Sequence, residues 1–105
     1  MGVLSPDGHT VLTGGADGTA RLWDAVTGEV RATLRGHRGK IASVAFSKNG
    51  RVAMTVGEDQ TVRLWDASNG QARAVTAAQP HAINKALLSP DGGRLLTIRA
   101  LRTRV

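Results

Sequence analysis

The chain has 105 residues, 41% of them hydrophobic, no cysteine, and a formal net charge of +6. That size suits one domain whose core buries about two-thirds of the surface exposed by the unfolded chain, so a strand left unpaired at an edge is a sizeable loss. The absence of thiols excludes disulfide, thiolate-metal and cysteine-nucleophile chemistry, and no run reaches the ~18 apolar residues of a membrane helix.

Met1-Gly2-Val3-Leu4 runs straight into a turn without a signal-peptide core, so a cytoplasmic location with no membrane contact is the expectation. The apolar run Gly2 to Leu4 ends at Ser5-Pro6-Asp7-Gly8, where proline presets the φ of a turn and glycine supplies positive φ. Strands are predicted at Thr10 to Thr13 and Thr19 to Trp23, joined through Asp17-Gly18, a pair suited to a primed hairpin. The glycine-rich Gly14 to Gly18 has no following helix or lysine, so it is a hairpin and not a phosphate loop. Another strand follows at Glu29 to Leu34, after Thr27-Gly28. The next four are predicted at Ile41 to Phe46, Arg51 to Thr55, Thr61 to Trp65 and Gln71 to Val75, separated by Asn49-Gly50, Glu58 to Gln60 and Asn69-Gly70. Asn84 to Leu88 and Arg94 to Ile98 flank a second Ser-Pro-Asp-Gly turn, and Arg99 to Val105 then departs from the pattern. Valine, threonine and isoleucine dominate these runs and no helical period is sustained, so the fold class is all-β.

One unit is written repeatedly. Gly18 to Asp24 returns as Gln60 to Asp66, and the same offset of 42 residues links Ser5, Ser47 and Ser89, then Gly8, Gly50 and Gly92, then Thr13, Thr55 and Thr97. A period of about 40–45 residues with a Trp-Asp pair is a propeller-blade signature. With Gly36-His37, the Ser-Pro-Asp-Gly turns, Asp17-Gly18-Thr19 and Leu-Trp-Asp in that order, residues 2–98 resemble the WD-repeat β-propeller family. The repeated Arg-Leu-Trp-Asp-Ala form looks most like its bacterial members. The resemblance implies a partial β-propeller of four-stranded antiparallel blades, strands A to D from the inside outwards. Residues 1–35 would be a first blade with a clipped strand A, 36–77 a complete second blade, 78–98 the first half of a third, and 99–105 an atypical arginine-rich tail.

The resemblance also assigns roles. His37, Thr55, Asp59 and Trp65 are expected to form a hydrogen-bonded network inside the second blade, with Thr13, Asp17 and Trp23 as its incomplete counterpart in the first. A donor-only indole, a hydroxyl and an imidazole can satisfy one another there. His, Asp and a hydroxyl also invite a catalytic reading, but a nucleophile needs an exposed hydroxyl and an oxyanion site, so a cross-strand staple is favoured. Gln79 stands where the third blade would carry its histidine, with His81 two residues on; His81 and His9 are read as solvent-facing. No histidine has a second ligand at metal spacing, and no cofactor is implied.

The family generally holds proteins or peptides on the face of the D–A and B–C loops, which places Lys40, Ala42, Glu58, Ala16, Ala82 and Asn84 on a possible partner-binding face rimmed by Arg38. Aromatic anchors are scarce there. Most arginines, such as Arg21, Arg31, Arg51, Arg63 and Arg73, alternate along strands as solvent-facing residues do; only Arg94, Arg99, Arg102 and Arg104 cluster, which disfavours nucleic acid as partner. The reading is a non-catalytic protein-interaction scaffold module, a fragment of a larger propeller. The alternatives are a small chain that self-assembles into a closed ring through open blade edges, or a basic nucleic-acid-contacting module.

Overall fold

A computed structural model describes residues 1–76 and 83–99. Its strands are β1 (Gly2–Leu4), β2 (Thr10–Gly14), β3 (Ala20–Asp24), β4 (Val30–Leu34), β5 (Ile41–Phe46), β6 (Val52–Gly57), β7 (Val62–Asp66), β8 (Ala72–Val75), β9 (Ile83–Leu88) and β10 (Leu95–Arg99). They form two four-stranded antiparallel sheets, β1-β2-β3-β4 and β5-β6-β7-β8, and a two-stranded sheet of β9 and β10. This is the all-β, partial-propeller architecture that the repeat implies, with successive strands paired throughout each sheet.

Several strands begin one residue later than their apolar runs, for one physical reason. The residue after each turn gives its amide to the turn's own polar side chain and not to the ladder. Thr19 N donates to Asp17 Oδ1 at 3.0 Å, Arg51 N to Asn49 Oδ1 at 3.0 Å, Thr61 N to Asp59 Oδ1 at 3.1 Å, and Gln71 N to Asn69 Oδ1 at 2.9 Å. Each of these residues is thereby held in the turn.

Period-two alternation gives every sheet two distinct faces. Leu12, Ala20, Leu22 and Leu34 of the first sheet meet Ile41, Val44, Ala53, Trp65 and Ala67 of the second in one buried cluster. The opposite face of the second sheet supplies Met54, Val56 and Val62 to a further cluster with Leu88 and Leu95. Leu12, Leu22, Leu34, Ile41, Val52 and Val62 are all fully buried, a contribution of about 1.5–3 kcal/mol each. Sheet-to-sheet approach is close enough for a backbone hydrogen bond from Ile41 N to Gly15 O at 3.1 Å. Gly14 makes this possible: a Cβ there would lie 2.5 Å from Ile41 Cγ2.

Among the described residues, none covers the remaining face of the first sheet. Trp23, Val11 and Thr13 are half-buried and Ala25 is exposed, whereas their counterparts Trp65, Ala53, Thr55 and Ala67 are buried. Leu4, at the inner edge of the same face, is 59% exposed. The repeat thus appears in two environments, one covered by a neighbouring sheet and one open.

Candidate functional site

Within the second sheet, β6 and β7 and the segment entering β5 bring four side chains together. Trp65 Nε1 donates to Thr55 Oγ1 at 3.0 Å, and Thr55 Oγ1 lies 2.7 Å from His37 Nε2. His37 Nδ1 in turn lies 3.1 Å from Asp59 Oδ1 and 3.3 Å from Oδ2. One proton arrangement satisfies every member: the indole N–H donates to the threonine oxygen, the threonine O–H to Nε2, and Nδ1–H to the carboxylate. The His37 side chain is 1% exposed and Thr55 0%, so the hydroxyl and the imidazole have no open approach from solvent.

The carboxylate end is more heavily bonded than the sequence suggests. Asp59 Oδ1 accepts from Thr61 Oγ1 at 2.7 Å, and Oδ2 accepts from the amide of Arg38 at 2.9 Å. Thr61 Oγ1 also lies 3.1 Å from His37 Nδ1. Burial alone would raise the carboxyl pKa, but the Arg38 amide, the Thr61 hydroxyl, His37 and the Thr61 amide together outweigh it and hold Asp59 well below the ordinary carboxylate range. Thr61 and Gly57 complete the site. Asp17-Gly18-Thr19 and Asp59-Gln60-Thr61 carry the threonine at matched positions, which is the signal that could have found it. A Cβ on Gly57 would collide with His37 Nδ1 and Asp59 Oδ1, so this glycine is the space in which the imidazole sits.

The first sheet repeats part of this arrangement. Trp23 Nε1 donates to Thr13 Oγ1 at 2.8 Å, and Asp17 Oδ1 accepts from Thr19 N at 3.0 Å and Thr19 Oγ1 at 2.8 Å. Among the described residues no imidazole joins Thr13 to Asp17. Gln79 and His81 lie outside the described residues, while His9 is exposed in its turn, where its amide donates to Asp7 Oδ1 at 2.9 Å.

The surface residues assigned from the resemblance sit beside this network. Lys40, Ala42, Glu58 and Ala16 are all exposed. Glu58 N donates to Lys40 O at 2.8 Å, tying the loop before β5 to the turn after β6. The turn carrying Ala16 packs on that loop, because a Cβ at Gly18 would lie 2.8 Å from Gly39 O and 2.9 Å from His37 O. Asn84 falls within β9 and Ala82 lies outside the described residues. Arg38 is anchored by its amide and exposes its side chain beside Lys40.

The chain is 53% identical over 38 residues to human WD repeat-containing protein 86, covering 36% of this chain and 10% of that protein. It is 46% identical over 46 residues to Autophagy-related protein 16 of Arabidopsis thaliana, covering 44% of this chain and 9% of that protein. The chain therefore matches about a tenth of the length of these relatives. Among solved structures, the β-propeller domain of Myceliophteria thermophila Cps50 (Swd1) superposes with a TM-score of 0.84 at 25% identity, covering 94% of this chain and 30% of that one. The family model for the WD domain, G-beta repeat, matches residues 2–24 and 28–66, more than half of the chain, with both Trp-Asp pairs inside the matched segments. By its repeats, its sheets and these matches, the chain belongs to the WD-repeat family of β-propeller proteins.

Proposed function

We propose that this chain is a non-catalytic protein-interaction module, one section of a larger WD-repeat propeller, and that it holds a protein or peptide partner through Lys40, Ala42, Glu58 and the turn at Ala16. The observation that carries the reading is the contrast between a sealed interior and an exposed, braced loop face. The His, Thr and Asp that could suggest catalysis are enclosed, with Thr55 fully buried and bonded on both sides, so they serve to fix the loops above them. Those loops present opposite charges at Lys40 and Glu58 on a scaffold held by the Glu58 to Lys40 backbone bond. Such a face gives specificity through polar complementarity more than through buried apolar area.

Selection of displayed peptides against the chain tests the binding face. Ligands selected on a chain carrying Arg51→Ser and Arg73→Ser, which leaves Lys40 and Glu58 intact, should weaken by roughly tenfold when Glu58→Lys reverses one of the two charges on this face. Ligands indifferent to both Lys40 and Glu58 would refute the assignment.

The uncovered face of β1 to β4 supports the propeller-section reading and also a second one, self-association, since Leu4, Trp23 and Ala25 are available to a neighbouring sheet. Light scattering after size exclusion separates the two. A discrete small oligomer with β circular dichroism favours a self-assembled ring, whereas a polydisperse aggregate or an unfolded monomer favours a section that needs further blades.

A further inference from the structure

The ends of the strands opposite to Lys40 and Glu58 carry turns that are alike in geometry and unlike in charge. The turn between the first two strands reads Ser5-Pro6-Asp7-Gly8-His9 in the first sheet, Ser47-Lys48-Asn49-Gly50-Arg51 in the second, and Ser89-Pro90-Asp91-Gly92-Gly93 in the third. Backbone geometry does not demand the change. Asp7 Oδ1 accepts from Ser5 Oγ at 2.6 Å and from the His9 amide at 2.9 Å, while Asn49 Oδ1 accepts from Ser47 Oγ at 2.6 Å and from the Arg51 amide at 3.0 Å. An amide oxygen closes the turn as well as a carboxylate does. The middle turn has therefore lost a negative charge and gained Lys48 and Arg51 with no change in its bonding.

Arg51 opens onto a groove of about 500 Å³ between the turns of the first two sheets, whose walls include Arg31, Arg73, Ser68, Asp7 and Asp66. Clefts that take small ligands or peptide side chains span about 300–1,000 Å³. Arg31 is already committed: its Nη1 donates to Thr10 Oγ1 at 2.8 Å and its Nη2 to Asp24 Oδ2 at 3.3 Å. At the matched position in the second sheet, Arg73 has Val52 where Arg31 has Thr10, so the hydroxyl acceptor is missing. The groove's two acids are engaged by their own turns, Asp7 as above and Asp66 Oδ1 by Ser68 Oγ at 2.6 Å and Ser68 N at 2.8 Å. Among the described residues, neither Arg51 nor Arg73 has a carboxylate oxygen within 4.0 Å.

We infer that this groove is a second binding site, for the carboxylate side chains of an acidic peptide segment, with Arg51 and Arg73 as the recognising groups. A guanidinium presents paired N–H donors in the fork that a carboxylate accepts, and here two such forks line one groove with no carboxylate oxygen within 4.0 Å among the described residues. Asp7 and Asp66 in the same walls select against a continuous run of phosphates, which would bring fixed negative charge against both. A peptide with spaced acids can meet the arginines and pass the aspartates with neutral residues. The site stands on its own residues and does not depend on whether the Lys40 and Glu58 face binds anything.

Fluorescence anisotropy of the full chain with a fluorescein-labelled alternating glutamate–glycine octapeptide tests this. The peptide binds wild type with an affinity that falls as salt rises. Combined Arg51→Ser and Arg73→Ser weakens it roughly tenfold, the loss of two exposed charge-assisted contacts. Combined Arg38→Ser and Lys40→Ser, which removes the same charge from the other face, leaves it within about twofold. Both arginines are exposed, so the denaturation midpoint of the groove variant stays at the wild-type value. The inference is overturned by a wild-type chain that leaves the peptide unbound at millimolar concentration. It is equally overturned by an equal loss in the two double variants, or by tighter binding of an oligothymidylate of the same charge.

Discussion

Thr55→Val and Thr13→Val are the same substitution at matched repeat positions, and they should differ several-fold in cost. Valine is close to threonine in shape, so neither variant opens a cavity and the difference reports on hydrogen bonding. In the second sheet the change removes the bond from Trp65 Nε1 at 3.0 Å and the one to His37 Nε2 at 2.7 Å, at a residue with no solvent exposure. Two polar groups lose their partner where water cannot replace it, at about 1–3 kcal/mol each, which gives roughly 2–4 kcal/mol once His37 is credited with keeping Asp59. In the first sheet only the bond from Trp23 Nε1 at 2.8 Å is lost, both residues are half-buried, and water can reach the indole, so the cost is about 0.5–1 kcal/mol. Urea denaturation of the two variants, followed by far-ultraviolet circular dichroism with the slope held common, measures the difference as a shift in midpoint. Equal shifts would refute the reasoning, because they would mean that the histidine link adds nothing to the indole–hydroxyl bond.

Gly57→Ala should destabilise by about 1–3 kcal/mol through its overlap with His37 and Asp59, whereas Gly15→Ala, whose Cβ would meet Asp17 Oδ1 at 3.0 Å with no imidazole present, should cost less than about 1 kcal/mol; thermal midpoints of the pair decide. Gln60 holds φ at 67°, a left-handed conformation that costs a side-chain-bearing residue about 1–2 kcal/mol, so Gln60→Gly should stabilise by about 0.5–1 kcal/mol after the glycine's extra unfolded-state entropy, and a lowered midpoint would contradict this. Because Asp59 titrates lower in the folded chain than in the unfolded one, its contribution to stability is complete above the ordinary aspartate range and is lost as pH falls through and below it. Asp59→Asn should therefore flatten the acid limb of a stability–pH curve between about pH 4 and pH 2, and an unchanged limb would remove Asp59 from the explanation. In single-tryptophan variants, acrylamide should quench Trp23 readily and Trp65, at 4% exposure, poorly; similar quenching constants would contradict the open face.

The blade architecture was legible in the sequence because its determinants are local and written more than once. Alternation within Thr10 to Thr13 and Thr61 to Trp65, the Asx and proline turns, and the Trp-Asp pairs each imply a strand or a turn without reference to distant residues. Hydrogen-bond partners of the turns were less visible. Thr61 reads as the first residue of a strand, yet its amide and hydroxyl both go to Asp59, a competition between side chain and ladder that composition does not settle. Gly57 lies between the predicted strand Arg51 to Thr55 and the turn Glu58 to Gln60 with no assigned role, and its purpose becomes apparent only when His37 arrives from 20 residues away to occupy the missing Cβ's place. The charge of the Arg51 groove was hidden for a different reason. Arginines spaced along strands look like ordinary solvent-facing residues until the sheets bring Arg51 and Arg73 to one cleft.

Two copies of one motif in unlike surroundings separate what a WD unit holds by itself from what its neighbours provide. The indole–threonine bond forms in both sheets, at 2.8 Å and 3.0 Å, so it needs only the pairing of strands two and three within a blade. Burial of that pair is another matter: Trp65 and Ala67 pack with Leu12, Leu22 and Leu34 of the preceding sheet and Thr55 is fully buried, while among the described residues no sheet lies across from Trp23, Thr13 and Ala25. A hydrogen bond contributes most where its alternative partner, water, is excluded, so the network in the second sheet depends for its strength on the first. Cooperativity between blades follows without any direct polar contact between the two tryptophans. Each sheet turns its neighbour's polar staple from a weak bond into a strong one, and a blade on an open side is the weakest link until something covers it.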